Sequence, residues 1–301
     1  MTIQDLARLV LLGALWGSSY LFIRVGAPAF GPFAFMGGRV TIAAIILFFV
    51  MRMMKLRFGL RPYFGRMLVI GLLNGALPFT LIAAAELRLN ASLVAVLGAT
   101  VPLFVALVSA IALRERVSAV RAAGLALGLV GVAILTGWSA STLDWSAMLS
   151  VGAVMFASLS YAMSGIYANQ RLHGVPPVAI AFGQQIGAVC WLALPAVIKW
   201  PASPPGTPAL AALAALAILS TAVAFILYYR LISTIGPTMT STVTYIVPAF
   251  GMLGGAVFLR EPITTGMLVG FGIIAVSILL VNQSPAVSHV LRIFRPGLQT
   301  N

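Results

Sequence analysis

Polar and aromatic side chains recur inside long apolar segments of this chain, often at spacings of three, four or seven residues. Residues at these spacings share one face of an α-helix. Their hydroxyls and amides can hydrogen-bond a small polar molecule, and their rings can take its apolar part or an ammonium group. The candidates to contact such a molecule are Asn74, Pro78, Phe79, Thr100, Tyr161, Ser164, Gln184, Tyr228, Thr242, Tyr245 and Pro248.

The size of each polar group decides between a binding role and a structural one. A single Ser or Thr can bond its own helix backbone or a neighbouring helix, and this structural interpretation is the simpler one. Asn74, Gln184 and Tyr245 need larger polar partners, which favours a cavity. Pro78, Pro102 and Pro248 each free a carbonyl four residues earlier, and in lipid such a carbonyl must face protein or water. Together these residues predict a central cavity for a small zwitterionic or neutral metabolite.

Arg39 is the most deeply placed charge. At about 1.5 Å per residue from Pro32, it lies roughly 10 Å inside its helix. A central Arg costs about 2.5–3.5 kcal/mol on insertion scales, so its guanidinium must face the protein or reach the interface. Two interpretations stay open: it binds a substrate carboxylate and is a candidate site residue, or it pairs with Glu86.

Catalytic and metal-binding patterns are missing from the sequence. The two histidines have no acid cluster near them, and no acid pair has catalytic spacing. We therefore expect no enzyme, no metal and no cofactor. The five acids lie at segment ends or in loops: Asp5, Glu86, Glu115, Asp144 and Glu261. We expect the carboxylates of Glu115 and Glu261 to stabilise the N-termini of the helices that follow them, where the helix dipole is positive. No acid is deep in a segment.

The elements that must position these residues are membrane-spanning helices. Of 301 residues, 61% are hydrophobic and 8% are charged, too few charges for a soluble surface. A spanning helix needs about 20 apolar residues. We predict an all-α polytopic membrane protein with ten transmembrane helices, called spans one to ten, at about 6–26, 31–53, 64–85, 91–113, 118–137, 146–168, 177–199, 209–231, 238–259 and 264–283.

The basic residues predict the orientation. The net charge of +13 would suggest nucleic acid in a soluble protein, but here the charges lie between apolar segments, so we expect the lipid bilayer and no nucleic acid as partner. A cytoplasmic N-terminus places 13 bases on the cytoplasmic side and four outside. We therefore expect both termini in the cytoplasm of a bacterial inner membrane.

The two halves of the chain resemble each other. At an offset of 146 residues, Pro102 aligns with Pro248 and Leu113-Arg114-Glu115 with Leu259-Arg260-Glu261. At an offset of 145, Arg39 aligns with Gln184. Each half has five spans, an odd number, so the second copy has the opposite orientation in the membrane. We expect two inverted five-helix repeats, 1–140 and 141–285, followed by a short basic cytoplasmic tail, 286–301. Inverted repeats are typical of transporters with a midplane site.

These residues also resemble a known family. Trp16-Gly17-Ser18-Ser19-Tyr20, Arg39, and the Pro102/Glu115 and Pro248/Glu261 pairs are similar to the pattern of EamA-type permeases of the drug/metabolite transporter superfamily. Within it, the chain looks most like the YddG-like amino-acid and metabolite exporters. The resemblance also makes Trp16 and Ser19 candidates to contact the substrate. The second copy departs from the pattern with Ser160-Tyr161-Ala162.

The resemblance implies a cavity surrounded by spans one to four and six to nine, with spans five and ten at the periphery. It implies a transporter, working as an exporter by alternating access, whose substrate is an amino acid or related small metabolite. Since no acid is deep in a segment, we expect transport down the substrate gradient, without an obligatory proton or sodium partner. We also expect a monomer rather than an obligate oligomer. A multidrug exporter of organic cations is the alternative, although it would be expected to hold an acid within the membrane. An intramembrane enzyme is a less favoured alternative.

Overall fold

The fold is a bundle of apolar helices. The computed structural model describes residues 2–56, 59–112, 118–137 and 145–281. Glu115, Asp144, His289 and the predicted tail 286–301 lie outside these residues. Within them, eight helical segments are long and apolar enough to cross a membrane, and two shorter apolar helices raise the number to ten. The prediction of a ten-helix polytopic membrane protein is confirmed.

The first five spans contain seven helices, because two spans are interrupted. Span three is α3 and α4 joined by a π-helical turn at Leu72–Ala76, and span four breaks at Ala99–Thr100, just before Pro102. The helices are α1 (Ile3–Phe30), α2 (Pro32–Met53), α3 (Phe64–Gly71), α4 (Leu77–Glu86), α5 (Ala91–Gly98), α6 (Val101–Ala112) and α7 (Ala119–Gly137).

The second five spans contain six helices. Span eight is α10 and α11 joined by a second π-helical turn at Ile218–Val223, which begins 146 residues after the first. Span nine begins after Gly236, whose dihedral angles are not helical (φ 80°, ψ 164°) although it lies within the range given for α11. Span nine then breaks at Ser241 and Thr242. The helices are α8 (Trp145–Arg171), α9 (Pro177–Ile198), α10 (Thr207–Ala217), α11 (Ala224–Thr240), α12 (Val243–Leu259) and α13 (Thr265–Val281).

Turn residues set the helix ends. Gly31 takes a positive φ of 74° between α1 and α2, a conformation that glycine adopts without steric cost. Pro32 follows it in the first turn of α2, where the missing N–H is harmless. We call the side of the membrane on which α1 begins the near side, and the side on which it ends the far side.

The helix pairs are related across the two halves. Span two packs against span seven, span four against span nine, and span five against span ten. Span one packs against spans eight and nine, and span six packs against spans three and four. If each span of the first half is exchanged with its counterpart five spans later in the second half, the same set of packed pairs results.

Spans five and ten form a separate pair with glycines at the contact. A methyl group on Gly131 would lie 2.9 Å from a side-chain atom of Ile274, and one on Gly270 would lie 2.8 Å from Leu135 Cβ. These small residues let the two helices approach closely, as small residues do between membrane helices. Neither helix contributes a side chain to the main cavity described below.

Candidate functional site

A cavity with a volume of about 360 Å³ lies between the two halves. It is enclosed by spans one to four from the first half and spans six, eight and nine from the second. Its surface combines aromatic rings, hydroxyls, one amide and one guanidinium. This composition suits a small molecule with both polar and apolar parts.

Eight of the fourteen candidate residues line this cavity, and six do not. Those that line it come from both halves of the chain and are Trp16, Ser19, Arg39, Asn74, Phe79, Tyr161, Tyr228 and Pro248. Those that lie elsewhere are Pro78, Thr100, Ser164, Gln184, Thr242 and Tyr245.

The register of span nine explains two of the six. Ser241, Thr244, Val247 and Pro248 line the cavity, and their spacing follows one helix face. The predicted face included Thr242 and Tyr245, which are rotated by about 100° from Ser241 and Thr244. Thr242 instead bonds the Met239 carbonyl at 2.7 Å, and Tyr245 packs beside the hydrophobic core.

The other four are held inside the helix packing. Thr100 donates to the Leu97 carbonyl at 2.7 Å and lies 3.3 Å from Ser158 Oγ. Ser164 is 2% exposed. Pro78 follows the π-helical turn of span three and is buried behind the lining. Gln184 is also buried and accepts a hydrogen bond from Asn74, as described below.

Several cavity residues were missed by the sequence analysis as site candidates. Tyr20, Ser220 and Thr244 add polar groups to the lining, and Phe225 adds a ring. The Trp-Gly-Ser pattern ended at Tyr20, and Phe225 is the repeat counterpart of Phe79, so both carried a usable signal. The Tyr20 hydroxyl also needs a glycine opposite it, since a methyl group on Gly98 would lie 2.5 Å from that oxygen.

Arg39 presents an uncompensated positive charge to the cavity. Its Nε donates to Thr221 Oγ1 at 2.9 Å, and its Cζ lies 3.7 Å from the centre of the Phe79 ring. Among the described residues, no carboxylate oxygen lies within 4.0 Å of its nitrogens, so the pair with Glu86 is not formed. These two contacts fix the guanidinium while leaving it able to bind a ligand anion.

The amide pair of Asn74 and Gln184 mirrors the Arg39 contact. Asn74 Nδ2 donates to Gln184 Oε1 at 2.7 Å. Gln184 is the repeat counterpart of Arg39, and Asn74 lies in the first π-helical turn, as Thr221 lies in the second. Each half therefore places a polar side chain of its π-helical turn against span two or span seven of the other half. π-Helical turns are frequent at functional sites.

On the far side of the bundle, hydrogen bonds join several helices to the connector between spans three and four. Arg24 of α1 donates to the backbone carbonyl of Glu86, where α4 ends. Glu261, just after α12, accepts from the Ala91 and Ser92 amides, where α5 begins. Arg88 donates to Ser146 Oγ in α8 at 2.9 Å. We call these contacts of Arg24, Glu261 and Arg88 the far-side latch.

The cavity opens toward the near side. Spans four and nine pack through α5 and the far part of α12, where Gly251 and Gly255 meet Ala95 and Ser92. The near part of span four, α6, packs against α8 instead. Ser241, at the near end of the cavity, is exposed, whereas Ile23 and Ile82 at its far end are buried.

Two expectations about acidic residues are corrected. Glu261 caps α5 in the other half and not the helix that follows it; α13 is capped by Thr264, whose hydroxyl accepts from the Met267 amide. Glu86 is not peripheral, because it is 1% exposed and enclosed by protein.

The described residues include no group of three His, Cys, Asp or Glu side chains placed to hold a metal ion.

Comparison with known proteins identifies the family. The EamA-like transporter family model matches twice, over residues 7–137 and 148–283. The chain belongs to this family of membrane transporters. The two matches cover spans one to five and six to ten.

Full-length relatives support the assignment. The chain is 28% identical over 297 residues to the "Uncharacterized inner membrane transporter YedA" of Escherichia coli (strain K12), covering 95% of this chain and 92% of that protein. It is 22% identical over 259 residues to the "Uncharacterized transporter YoaV" of Bacillus subtilis (strain 168), covering 85% and 89%. A crystal structure with 17% identity superposes with a TM-score of 0.67 over 97% of this chain and 99% of its own, which shows a shared fold.

Proposed function

We propose that this transporter moves amino acids or related small carboxylate-bearing metabolites and works as an exporter. The single observation that supports this most is Arg39, whose guanidinium lines the cavity and has no carboxylate partner among the described residues. A buried unpaired cation is costly, and a substrate carboxylate would compensate it. A charged hydrogen bond of this kind contributes about 1.5–3 kcal/mol.

The opposite end of the cavity suits the rest of an amino acid. The Trp16 ring lies 5.3 Å from the Tyr228 ring and 6.4 Å from the Phe225 ring, centre to centre. Such rings accept an apolar side chain, or an ammonium group by cation–π contact. A zwitterion would thus place its carboxylate at Arg39 and its remaining groups among the rings of spans one and eight.

The arrangement of the two halves supports alternating access. We propose that residues 1–140 and 141–285 are inverted repeats, which the exchange symmetry of the helix pairs supports. In the described state the far-side latch is closed and the near side is open. The repeat relation then implies a second state of opposite access around the same polar residues.

The proposed location is a bacterial inner membrane with cytoplasmic termini. The distribution of bases supports this orientation, and YedA is by its name an inner membrane transporter. The near side is then the cytoplasm, and the described cavity is open to cytoplasmic substrate, as an exporter requires. Both halves of one chain complete the cavity, so we propose that the monomer is the working unit.

Export of organic cations is the second candidate, and the aromatic rings alone would suit it. Arg39 disfavours it, because a fixed positive charge in the cavity repels a cationic substrate.

Counterflow in proteoliposomes tests the proposal. Vesicles with purified protein are loaded with one unlabelled amino acid at a time, and entry of the labelled compound is followed; organic cations form the comparison set. We expect counterflow for at least one amino acid or related carboxylate, and strong loss of it in Arg39→Gln. Counterflow of organic cations only, or none for any carboxylate, would contradict the proposal.

A further inference from the structure

Glu86 is a buried carboxyl group that no part of the proposed transport mechanism yet uses. It is 1% exposed, and neither carboxylate oxygen has a hydrogen-bond partner among the described residues. Nearby Arg24 bonds the backbone carbonyl of Glu86 and not its side chain. Buried polar groups are normally hydrogen-bonded, so an isolated buried carboxyl is an exception that needs an explanation.

The position of Glu86 relates it to the cavity. Phe79 and Ile82 line the cavity on α4, and Glu86 follows them at spacings of seven and four residues on the same helix face. Ser92 stands in a similar relation to Ala95, which lines the cavity on α5. Glu86 therefore lies one helical turn beyond the closed end of the cavity, directly beneath the far-side latch.

Charged and titratable groups face Glu86 from several elements. From α1 come Arg24, the strongest favourable charge, and Tyr20; from the end of α12 comes Glu261, an unfavourable like charge. The nearest such groups on α2 and α8, Arg39 and Tyr161, lie two turns deeper beside Phe79. The segment Ala91–Gly98 of α5 adds no titratable side chain.

The closed latch disfavours a charge on Glu86. Removing an isolated carboxylate from water without hydrogen bonds costs several kcal/mol, and a bound proton removes that cost. Opening of the far side would separate α5 from α12 and turn the Phe79–Ile82–Glu86 face toward far-side water. Hydration then stabilises the carboxylate.

We propose that Glu86 is a proton-binding site that couples transport to a proton gradient. In the far-side-open state its carboxylate takes a proton from the far-side solution and becomes a neutral carboxylic acid. Closure of the latch requires this neutral form. Loss of the proton to near-side water, through the cavity beyond Ile82, leaves a buried carboxylate that disfavours the closed latch and so promotes its reopening. No other bond changes, and one proton moves opposite to the exported substrate. This inference rests on the proposed transport function and replaces the expectation of uncoupled transport, because Glu86 is buried although it lies at the end of its helix.

Infrared spectroscopy tests the proton site without any substrate. The chain has only five acidic residues, so its carboxyl bands are few. We expect the C=O stretch of a protonated carboxylic acid in wild-type protein at neutral pH, its loss in Glu86→Gln, and its retention in Asp5→Asn. Absence of the band in wild type, or its persistence in Glu86→Gln, would overturn the proposal.

Transport in proteoliposomes tests the coupling. The labelled amino acid with the strongest counterflow is placed at equal concentration on both sides, and a pH gradient, a sodium gradient or neither is imposed. We expect net accumulation with the pH gradient alone. Glu86→Gln should lower this accumulation at least about tenfold, the effect of 1.4 kcal/mol, while counterflow, which needs no net proton movement, continues. Asp5→Asn should retain both activities.

The outcomes separate the two proposals. No counterflow by wild type would count against the proposed function, whatever the infrared result. Counterflow without pH-driven accumulation, or accumulation driven by sodium alone, would overturn proton coupling and leave the proposed function standing. If Glu86→Gln does not fold, Glu86→Asp serves as the second variant. It is expected to retain pH-driven accumulation, and its loss would overturn the proposal, provided that counterflow persists.

Discussion

Glu261 accepts two hydrogen bonds from Ser92, although 169 residues separate them: its Oε2 lies 2.9 Å from the Ser92 amide and 2.5 Å from the hydroxyl. The carboxylate thereby caps α5, and negative charge at a helix N-terminus is favourable. Since Glu261 follows span nine and Ser92 begins span four, the contact joins the two halves at the far side. Any far-side opening must break it.

Weakening this contact should open the far side. In a Cys190→Ser background carrying Ala95→Cys, we expect Glu261→Gln to raise labelling by a far-side, membrane-impermeant maleimide at least about tenfold, because charged hydrogen bonds contribute about 1.5–3 kcal/mol each. Labelling of intact cells measures the rate. Asp5→Asn, an equal charge change outside the latch, should leave it unchanged. Equal rates in all three proteins would show that Glu261 does not control far-side access.

Removing the cavity charge should weaken carboxylate binding. Arg39→Gln is expected to raise the Kd of a carboxylate substrate about ten- to hundredfold, the loss of one charged hydrogen bond of about 1.5–3 kcal/mol. Arg39→Lys should recover only part of the lost affinity, since lysine lacks the planar group that lies over Phe79.

Quenching of tryptophan fluorescence on ligand binding measures these affinities, because Trp16 lines the cavity. Arg52→Gln, an exposed arginine at the other end of the same helix, is the control. Unaltered affinity in Arg39→Gln would place the substrate elsewhere.

The glycine of the Trp-Gly-Ser pattern should be intolerant of side chains. A methyl group on Gly17 would lie 2.6 Å from Phe250 Cβ and 2.8 Å from the Val247 carbonyl oxygen, so α1 and α12 could not pack as they do. We expect Gly17→Val to destabilise the protein by about 1–3 kcal/mol or more. Thermal unfolding in detergent measures this. Gly152→Val on α8 adds the same atoms where no neighbour lies within 4 Å, and it should unfold near the wild-type temperature.

The near side should face the cytoplasm. A green fluorescent protein inserted after residue 58 should fluoresce, and alkaline phosphatase should be inactive there but active after residue 203, between spans seven and eight. The reason is the excess of basic residues at the near side, which resist translocation. The reverse activities would invert the topology and make the described cavity open to the outside.

The sequence by itself determined the architecture. Ten apolar segments determined the number of spans. In lipid every backbone polar group must be hydrogen-bonded within the protein, and a single apolar segment achieves this as an α-helix. The proline and glycine positions gave the helix boundaries to within a few residues. Polar spacings, prolines, the family pattern and the charge of Arg39 together identified eight lining residues. The charge of Arg39 made a surface or cavity position necessary.

Only the tertiary structure decided which residues meet. A shift of one position turns a helix face by about 100°, so the polar stripe of span nine could not show that Thr244 rather than Tyr245 reaches the cavity. The partner of Arg39 is Thr221 and that of Asn74 is Gln184, contacts across more than 100 residues that no local pattern encodes. Glu86 ends its helix and so read as peripheral, yet packing of α1 and α5 around α4 buries it. Burial depends on what surrounds a residue, and sequence spacing records only its own helix.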